Sequence, residues 1–172
     1  PIIGFGFFSN EFELNLVLFF ALLWTGAVQV PVNTRLRHDS LSYLIGHSEP
    51  KIVIAEQEYM EQLLSANHPV DKSVFVEHCR EHGFLWPDLT PNPERNYKNV
   101  EPVIRSARDV LFIMYTSGTT GPPKGVMVTD KMLRTAAFAC GKASDARLED
   151  VFLVWEPLYH IGALQLLPVA LD

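Results

Sequence analysis

Short apolar runs alternate with stretches of helical length along the first half of the chain. Four runs rich in Val, Ile and Phe have the length of buried strands: residues 2–8, 27–30, 51–55 and 73–76. Helical patterns fall between them, from Asn10 to Gly26, from Asp39 or Ser40 onward, and from Glu56 to Ala66. Strands and helices that alternate at such short intervals form βαβ units. The pattern therefore predicts an α/β fold with mainly parallel sheets flanked by helices.

The pattern is interrupted between residues 86 and 107, where prolines and asparagines stand without any period. We expect a linker here, between a first α/β subdomain at 1–85 and the start of a second at 108–172 that has its own sheet. In the second part, apolar runs predict strands at 110–116 and 150–154. A helix is predicted from Thr129 or Asp130 to about residue 143, and an apolar helix begins at 163.

One apolar run, residues 14–30, approaches the length of a membrane span. It contains Asn15, Thr25 and Gln29 and falls short of the roughly 20 clean apolar residues that a span needs. We therefore expect no transmembrane segment, but a buried helix followed by a buried strand. This helix is apolar nearly all round, so we expect it to be covered on most sides.

Composition narrows the class of protein. Apolar residues make up 48% of the 172 positions and charged residues 20%, which is typical of a globular protein. The net charge of −6 argues against nucleic-acid binding. Cys79 and Cys140 stand far apart without a C-x-x-C pattern, which favours a reducing compartment and a cytoplasmic location. Because the chain opens with Pro1 in a strand pattern and ends at Asp172 in an apolar run, we expect a piece of a longer protein.

The stretch Tyr115-Thr-Ser-Gly-Thr-Thr-Gly-Pro-Pro-Lys-Gly125 has a composition that no core strand or helix uses. Its glycines can let backbone N–H groups converge on one point, and its hydroxyl groups add further donors. Lys124 adds a positive charge, and the prolines before it stiffen the end of the loop. The stretch predicts a loop that binds a polyphosphate; composition alone would also allow a solvated Ser/Thr/Gly linker.

The two commonest phosphate-loop patterns are absent. A Walker loop needs Gly-Lys followed by Ser or Thr, whereas Lys124 follows Pro123 and precedes Gly125. The dinucleotide pattern G-x-G-x-x-G fails because Gly118 and Gly121 have no glycine at position 116. A different family of phosphate-binding loops is therefore indicated.

Three segments together resemble the adenylate-forming (AMP-binding) superfamily, and most of all its acyl-CoA synthetases. The loop 115–125 is similar to the signature motif of that superfamily. The segment 26–33, Gly-Ala-Val-Gln-Val-Pro-Val-Asn, is similar to one that follows its early helix. Pro157-Leu-Tyr-His160 with Gly162 is similar to its fourth core motif. The resemblance covers nearly the whole chain and corresponds to part of the N-terminal domain of an adenylate-forming enzyme.

The resemblance implies ATP-dependent activation of a carboxylic acid to an acyl-adenylate, followed by transfer to coenzyme A. It implies Mg²⁺ to neutralise the phosphates, and it leaves the acid and the oligomeric state open. It implies catalytic roles for Lys124 and His160 and an acyl pocket lined by Tyr159 and His160. The loop residues that would hold the β- and γ-phosphates are Thr116, Ser117, Gly118, Thr119, Thr120, Gly121 and Lys124.

Several alternatives stay open. The chain could be a truncated nucleotide-binding fragment without turnover, or the acceptor could be a carrier-protein thiol. Pro122 and Asp130 depart from the usual family residues. His160 could be a loop histidine bonded to a backbone carbonyl, and the remaining histidines show no ligand spacing and are expected at the surface. If strands 110–116 and 150–154 are parallel neighbours, their following loops meet at one sheet edge and bring Lys124 and His160 toward one cleft.

Overall fold

The computed structural model describes residues 4–8, 12–66, 72–79, 83–85, 101–116, 121–147, 149–151, 153 and 156–163. Its elements, in chain order, are β1 Gly4–Phe8, α1 Phe12–Thr25, β2 Val28–Pro31, α2 His38–Ser48, β3 Ile52–Glu56, a 3-10 turn Gln57–Tyr59, α3 Met60–Leu64, β4 Lys72–Cys79, β5 Gly83–Leu85, β6 Val110–Tyr115, β7 Gly125–Thr129 and α4 Asp130–Ser144.

The seven strands of the described residues belong to one sheet, in the order β5-β4-β3-β1-β2-β6-β7. The five inner strands run parallel, and the edge strands β5 and β7 pair antiparallel to their neighbours. This confirms the predicted α/β class. The expectation of a separate sheet after residue 108 is wrong, because β6 pairs with β2 at Gln29 and Phe112. The division into subdomains at residues 86–107 stays a prediction.

Two apolar clusters cover the two faces of the sheet. On one face, α2 and α3 pack on β2 and β3 around Val30, Leu41 and Val53, all nearly inaccessible to solvent. On the other face, α1 and α4 pack on β6 and β7. The buried members of this second cluster are Phe19, Leu111, Phe112, Met114, Val128, Leu133, Leu158 and Ala163. From Phe112 to Tyr115 the side chains of β6 alternate between the clusters, since Ile113 and Tyr115 contact the first and Phe112 and Met114 the second. Leu111 also belongs to the second cluster, next to an irregularity in the pairing with β7.

Helix α1 is buried on one face only. Leu18, Phe19 and Leu22 are buried, whereas Val17 and Trp24 are more than half exposed. The expectation of a helix covered on most sides is therefore wrong for the part of the chain that the structure describes. None of the described helices has the length and apolarity to cross a membrane.

Residues 101–109 are irregular but firmly held against α1. The helix ends at Gly26, whose φ of 77° lies in the left-handed region that favours glycine. A Cβ at Gly26 would lie 2.9 Å from Val103 Cγ1, so the glycine also makes room for this segment. The Val103 amide donates to the Trp24 carbonyl at 2.9 Å. The carboxyl-terminal part of the predicted linker is therefore held against the end of α1, while residues 86–100 lie outside the described chain.

The Arg105 guanidinium joins the end of α1 to β2 and β6. It donates to the carbonyls of Ala27 at 2.6 Å and Val110 at 3.2 Å, and more weakly to those of Leu22 and Leu23 at 3.5 and 3.4 Å. The carbonyls of Leu22, Leu23 and Ala27 lie about 80 positions from Arg105 in sequence, and the guanidinium holds them beside the start of β6 at Val110. Such half-buried, charge-assisted hydrogen bonds are the stronger kind.

Replacing Arg105 by Met should lower the free energy of unfolding by about 2 kcal/mol, because part-buried carbonyls lose their donors. The measurement is the urea midpoint of the full-length protein. Arg108→Met is the matched control, since no side-chain hydrogen bond or ion pair of Arg108 is seen within the described residues and the residue is exposed. Equal midpoints for the two variants would contradict the role assigned to Arg105.

Candidate functional site

The predicted phosphate loop is the turn of a β-hairpin. Strands β6 and β7 pair antiparallel with Tyr115 opposite Gly125 and Met114 opposite Val126, and residues 116–124 connect them. The Thr116 amide donates to the Lys124 carbonyl at 3.1 Å, which closes the base of the loop. The sequence pattern predicted the strand before the loop. Because β7 is the edge strand of the sheet and returns from the loop, the loop lies at the edge of the sheet.

Gly125 is a glycine for a steric reason. A Cβ at this position would lie 2.8 Å from Ile113 Cγ2 and 3.3 Å from Tyr115 Cζ. The Tyr115 ring therefore lies across Gly125, and a side chain there would displace the ring or the strand. At Gly121, by contrast, a Cβ would meet no atom of the described residues within 4 Å.

Three of the seven predicted phosphate-binding residues lie in the described part of the chain. Thr116, Gly121 and Lys124 are all exposed. The other four lie outside the described residues: Ser117, Gly118, Thr119 and Thr120. The Thr116 hydroxyl accepts only a long hydrogen bond, 3.5 Å, from the Lys124 amide. No carboxylate of the described residues pairs with the Lys124 ammonium.

The donor set at the loop base fits an anion with several oxygens. The Thr116 hydroxyl and the Lys124 ammonium are a neutral and a charged donor at the two ends of one short loop. Since the ammonium is exposed and has no carboxylate partner within the described chain, its charge is available to a phosphate. These two donors suit an anionic ligand better than an apolar or cationic one, and a polyphosphate in the loop stays a prediction.

The amino-terminal end of α4 does not belong to this loop. Thr129 Oγ1 accepts from the Met132 amide at 3.3 Å, which confirms the predicted cap. Asp130 in the first turn pairs with Arg134 at 2.8 Å. At about 3.3 Å per strand residue, the length of β7 separates this helix end from the loop by about 13 Å. The helix dipole, which supports phosphate in Walker-type loops, therefore does not act here.

The segment 156–163 carries the second predicted site. The His160 amide donates to the Pro157 carbonyl at 2.9 Å, and residues 161–163 form a helical turn. Leu158 and Ala163 are buried in the second apolar cluster, whereas His160 is exposed and Tyr159 is half-buried. The apolar residues thus anchor the segment on the sheet and leave the imidazole accessible.

His160 pairs with a carboxylate rather than with a backbone carbonyl. Its Nδ1 lies 3.1 Å from Glu156 Oε2 and 3.2 Å from the Gly162 amide nitrogen. One nitrogen cannot donate to Glu156 and accept from Gly162 at once, and the charge-assisted bond to Glu156 is the stronger of the two. In that tautomer Nε2 carries the lone pair. A Cβ at Gly162 would lie 1.9 Å from Glu156 Oε2, so the carboxylate has room in this position because residue 162 has no side chain.

A strand was predicted at 150–154, parallel to β6, and it was expected to bring the loops of Lys124 and His160 together. No such strand is seen in the described residues of this stretch. Asp150, Val151 and Leu153 belong to no strand, and Phe152 and Val154 lie outside the described residues. Leu158 still belongs to the same apolar cluster as Leu111, Phe112 and Met114 of β6. A common cleft for Lys124 and His160 stays a prediction.

Sequence patterns missed one contact of the loop base. His47 is exposed, as expected of a surface histidine, but its Nδ1 lies 2.7 Å from the Tyr115 hydroxyl. Burial raises the pKa of Tyr115; Tyr43 acts in the same direction and the Ser48 hydroxyl in the opposite one. Tyr115 therefore stays protonated at neutral pH. No local signal could reveal this pair, because its members are 68 positions apart.

The family model described as "AMP-binding enzyme" matches residues 9–171. A long-chain-fatty-acid–CoA ligase, FadD13 of Mycobacterium tuberculosis, is 33% identical over 86% of this chain and 28% of its own length. The 4-hydroxybutyrate–CoA ligase 2 of Metallosphaera sedula is 26% identical over 91% of this chain and 32% of its own. The chain thus spans about a third of the length of these relatives.

Two solved structures share the fold. ATP-bound MatB from Rhodopseudomonas palustris is 25% identical with a TM-score of 0.79, over 98% of this chain and 32% of that one. The inhibitor-bound N-terminal domain of FACL13 from M. tuberculosis is 27% identical with a TM-score of 0.74, over 96% of this chain and 40% of that one. Since the family model covers nearly every residue and these neighbours share the sheet, the chain belongs to the AMP-binding enzyme family and has the fold of part of an adenylate-forming N-terminal domain.

Proposed function

We propose that the protein containing this chain is an acyl-CoA ligase, which activates a carboxylic acid with ATP and transfers the acyl group to coenzyme A. The observation that carries the proposal is the hairpin loop of an AMP-binding enzyme with an exposed lysine at its base. The curated relatives reported above are named CoA ligases, and this supports the choice of acceptor.

In the first step, a carboxylate oxygen attacks the α-phosphorus of ATP. The bond from that phosphorus to the bridging oxygen breaks, and pyrophosphate leaves with the electron pair. The loop 116–124 holds the β- and γ-phosphates. Thr116 contributes its hydroxyl, because its amide is bonded to the Lys124 carbonyl. Ser117, Thr119 and Thr120 contribute hydroxyl and amide donors, and Gly118 and Gly121 contribute amides alone. Lys124 neutralises charge that grows on the leaving group, which is electrostatic stabilisation rather than acid–base chemistry.

In the second step, a thiolate attacks the acyl carbon, a C–S bond forms and AMP leaves. We assign His160 and Tyr159 to the wall of the acyl pocket, beside the reacting carboxyl group. The Glu156 carboxylate holds Nδ1 of His160 at 3.1 Å, which leaves Nε2 to accept a hydrogen bond from a substrate or a water. We place the reaction in the cytoplasm, in line with the expectation from the two cysteines.

Mg²⁺ bound to the phosphates would neutralise part of their charge. The described residues contain no group of three His, Cys, Asp or Glu side chains that could hold such an ion. The contribution of these residues is therefore to bind and orient the phosphate oxygens, through Thr116, Gly121 and Lys124.

The full-length protein should catalyse exchange of pyrophosphate into ATP in the presence of its acid. A suitable panel contains a long-chain fatty acid, 4-hydroxybutyrate, crotonobetaine and malonate, and acyl-CoA formation is then measured with the best acid. Coenzyme A and a phosphopantetheinylated carrier protein are compared as acceptors. The 172-residue chain alone should show no turnover. Absence of exchange with every acid of a broad panel would remove the ligase proposal.

A further inference from the structure

Three aromatic side chains meet beside the base of the hairpin loop. Tyr43 and His47, one turn apart on α2, stack with ring centroids 5.4 Å apart and planes 22° from parallel. The Tyr115 ring meets His47 edge-on, with centroids 5.7 Å apart and planes at 84°. The Tyr115 hydroxyl lies 2.7 Å from His47 Nδ1. We call these three residues the α2–β6 aromatic cluster.

The neighbouring structure is shaped to keep Tyr115 in this position. The ring passes over Gly125, where a Cβ would lie 3.3 Å from Cζ and 3.5 Å from the hydroxyl oxygen. Because Tyr115 stays protonated at neutral pH, its hydroxyl can donate to Nδ1 when the imidazole proton is on Nε2. Stacking on Tyr43 fixes the plane of the imidazole and thereby the direction of its Nδ1 lone pair.

Tyr115 directly precedes the loop, so its position determines where the loop starts. The next residue, Thr116, donates its amide to the Lys124 carbonyl at 3.1 Å. A displacement of the Tyr115 ring therefore affects Thr116 directly, and it affects Lys124 through the hydrogen bond between the two backbones. Within the described residues, two side chains of α2 reach this hydroxyl: the His47 imidazole, with Nδ1 at 2.7 Å, and the Ser48 hydroxyl.

We propose that His47 is a positioning residue of the nucleotide loop, acting through the Tyr115 hydroxyl. It makes no contact with the phosphates itself; it holds the start of the loop in the arrangement that binds them. This inference rests on the proposed function, in which residues 116–124 bind the β- and γ-phosphates of ATP. Pre-organising a loop lowers the conformational entropy lost when a ligand orders it.

The consequence for kinetics is selective. Without the bond, ATP has to order the loop, so KM for ATP should rise five- to tenfold in His47→Ala of the full-length enzyme. The acid binds elsewhere, and its KM should stay within twofold of the wild-type value. Tyr115→Phe removes this bond together with the one to the Ser48 hydroxyl, so it should give at least the same rise. The double variant should be no worse than Tyr115→Phe alone, because Tyr115→Phe already lacks the bond to His47.

A rescue variant separates positioning from loss of bulk. The side-chain amide of Asn carries its oxygen and nitrogen one bond beyond Cγ, which is where histidine carries Nδ1. His47→Asn should therefore recover most of the ATP affinity. His38→Asn is the matched control: it is the same substitution at the other end of α2, and asparagine tolerates the φ of 42° found there. That control should leave both KM values unchanged.

Amide hydrogen exchange tests the proposed role of His47 without a measurement of enzyme activity. In the nucleotide-free full-length protein, the Thr116 amide should exchange about fivefold faster in His47→Ala and at the wild-type rate in His47→Asn, with an unchanged melting temperature. If the wild-type enzyme shows no pyrophosphate exchange, the proposed function fails while this measurement still decides the role of His47. Unchanged exchange at Thr116, or equal rises of both KM values, would overturn the proposal.

Discussion

Replacing Lys124 by Ala in the full-length enzyme is expected to lower kcat/KM for ATP about 100-fold. The ammonium is exposed, has no carboxylate partner within the described chain, and stands at the end of the loop proposed to hold the leaving pyrophosphate. Removal of one donor aimed at developing charge typically costs 10²–10³-fold in rate. KM for the acid should change little, because the acyl pocket is assigned to another segment.

Lys131→Ala is the matched control for this experiment. Lys131 is also exposed, but it lies in the first turn of α4 and not in the loop. Its backbone amide donates to the Ala107 carbonyl, and no bond of its ammonium is seen within the described residues. Its replacement should leave ATP kinetics unchanged, and Lys124→Arg should retain part of the activity because the charge is kept. Equal melting temperatures are expected for all three variants. ATP kinetics of Lys124→Ala within threefold of wild type would remove the role proposed for this lysine.

Replacing Phe112 by Ala is expected to lower the free energy of unfolding by about 4 kcal/mol. Phe112 is fully buried at the centre of the second apolar cluster and stacks on Phe19 with centroids 5.5 Å apart. Such truncations cost about 3–5 kcal/mol, because the lost transfer energy is joined by the cost of a cavity. Urea unfolding of the full-length protein measures the loss.

Phe112→Leu provides the graded control. It keeps an apolar side chain that fills much of the space and should lose roughly a third as much stability. The Phe112→Ala variant should also weaken the packing of the segment 156–163 on the sheet, since Leu158 belongs to the same cluster. A loss below 1 kcal/mol for Phe112→Ala would show that this cluster is not the core described above.

Local patterns predicted the elements of the first half well. The strands and helices before residue 80 have the expected order, because each depends on the spacing of apolar residues within one short segment. Their ends were less certain. Helix α2 begins at His38 with no side-chain cap from Arg37, whereas Asp39 or Ser40 was expected to cap it. Backbone geometry at a helix end depends on the preceding turn as well as on the capping residue.

Contacts between distant segments could not be predicted in the same way. The pairing of β2 with β6 joins Gln29 to Phe112, and no property of either residue marks the other as its partner. The irregular segment around Arg105 was therefore taken as a linker, although it fastens α1 to the sheet. The apolar run 150–154 resembled a strand, but Val151 and Leu153 lie exposed and outside any strand.

At the site, chemistry was predictable and geometry was not. The residue types of the loop 115–125 indicate phosphate binding because glycines, hydroxyls and a lysine in that order have few other uses. That the loop turns a hairpin, and that His47 reaches its first residue, depends on how α2 and β7 pack around β6. The family resemblance supplied roles for Tyr159 and His160, and these stay proposals.

The hairpin also bears on the order in which the sheet assembles. Pairing β6 with β7 closes a loop of about ten residues, whereas pairing β2 with β6 closes one of about 80. The entropic cost of closing a loop grows with the logarithm of its length. The long-range pairing therefore costs about 2 kcal/mol more than the hairpin before any contact stabilises it. Local hairpins form within about 1–10 μs. Chain entropy thus favours a sequence of events in which the loop base exists first and the parallel sheet closes onto it.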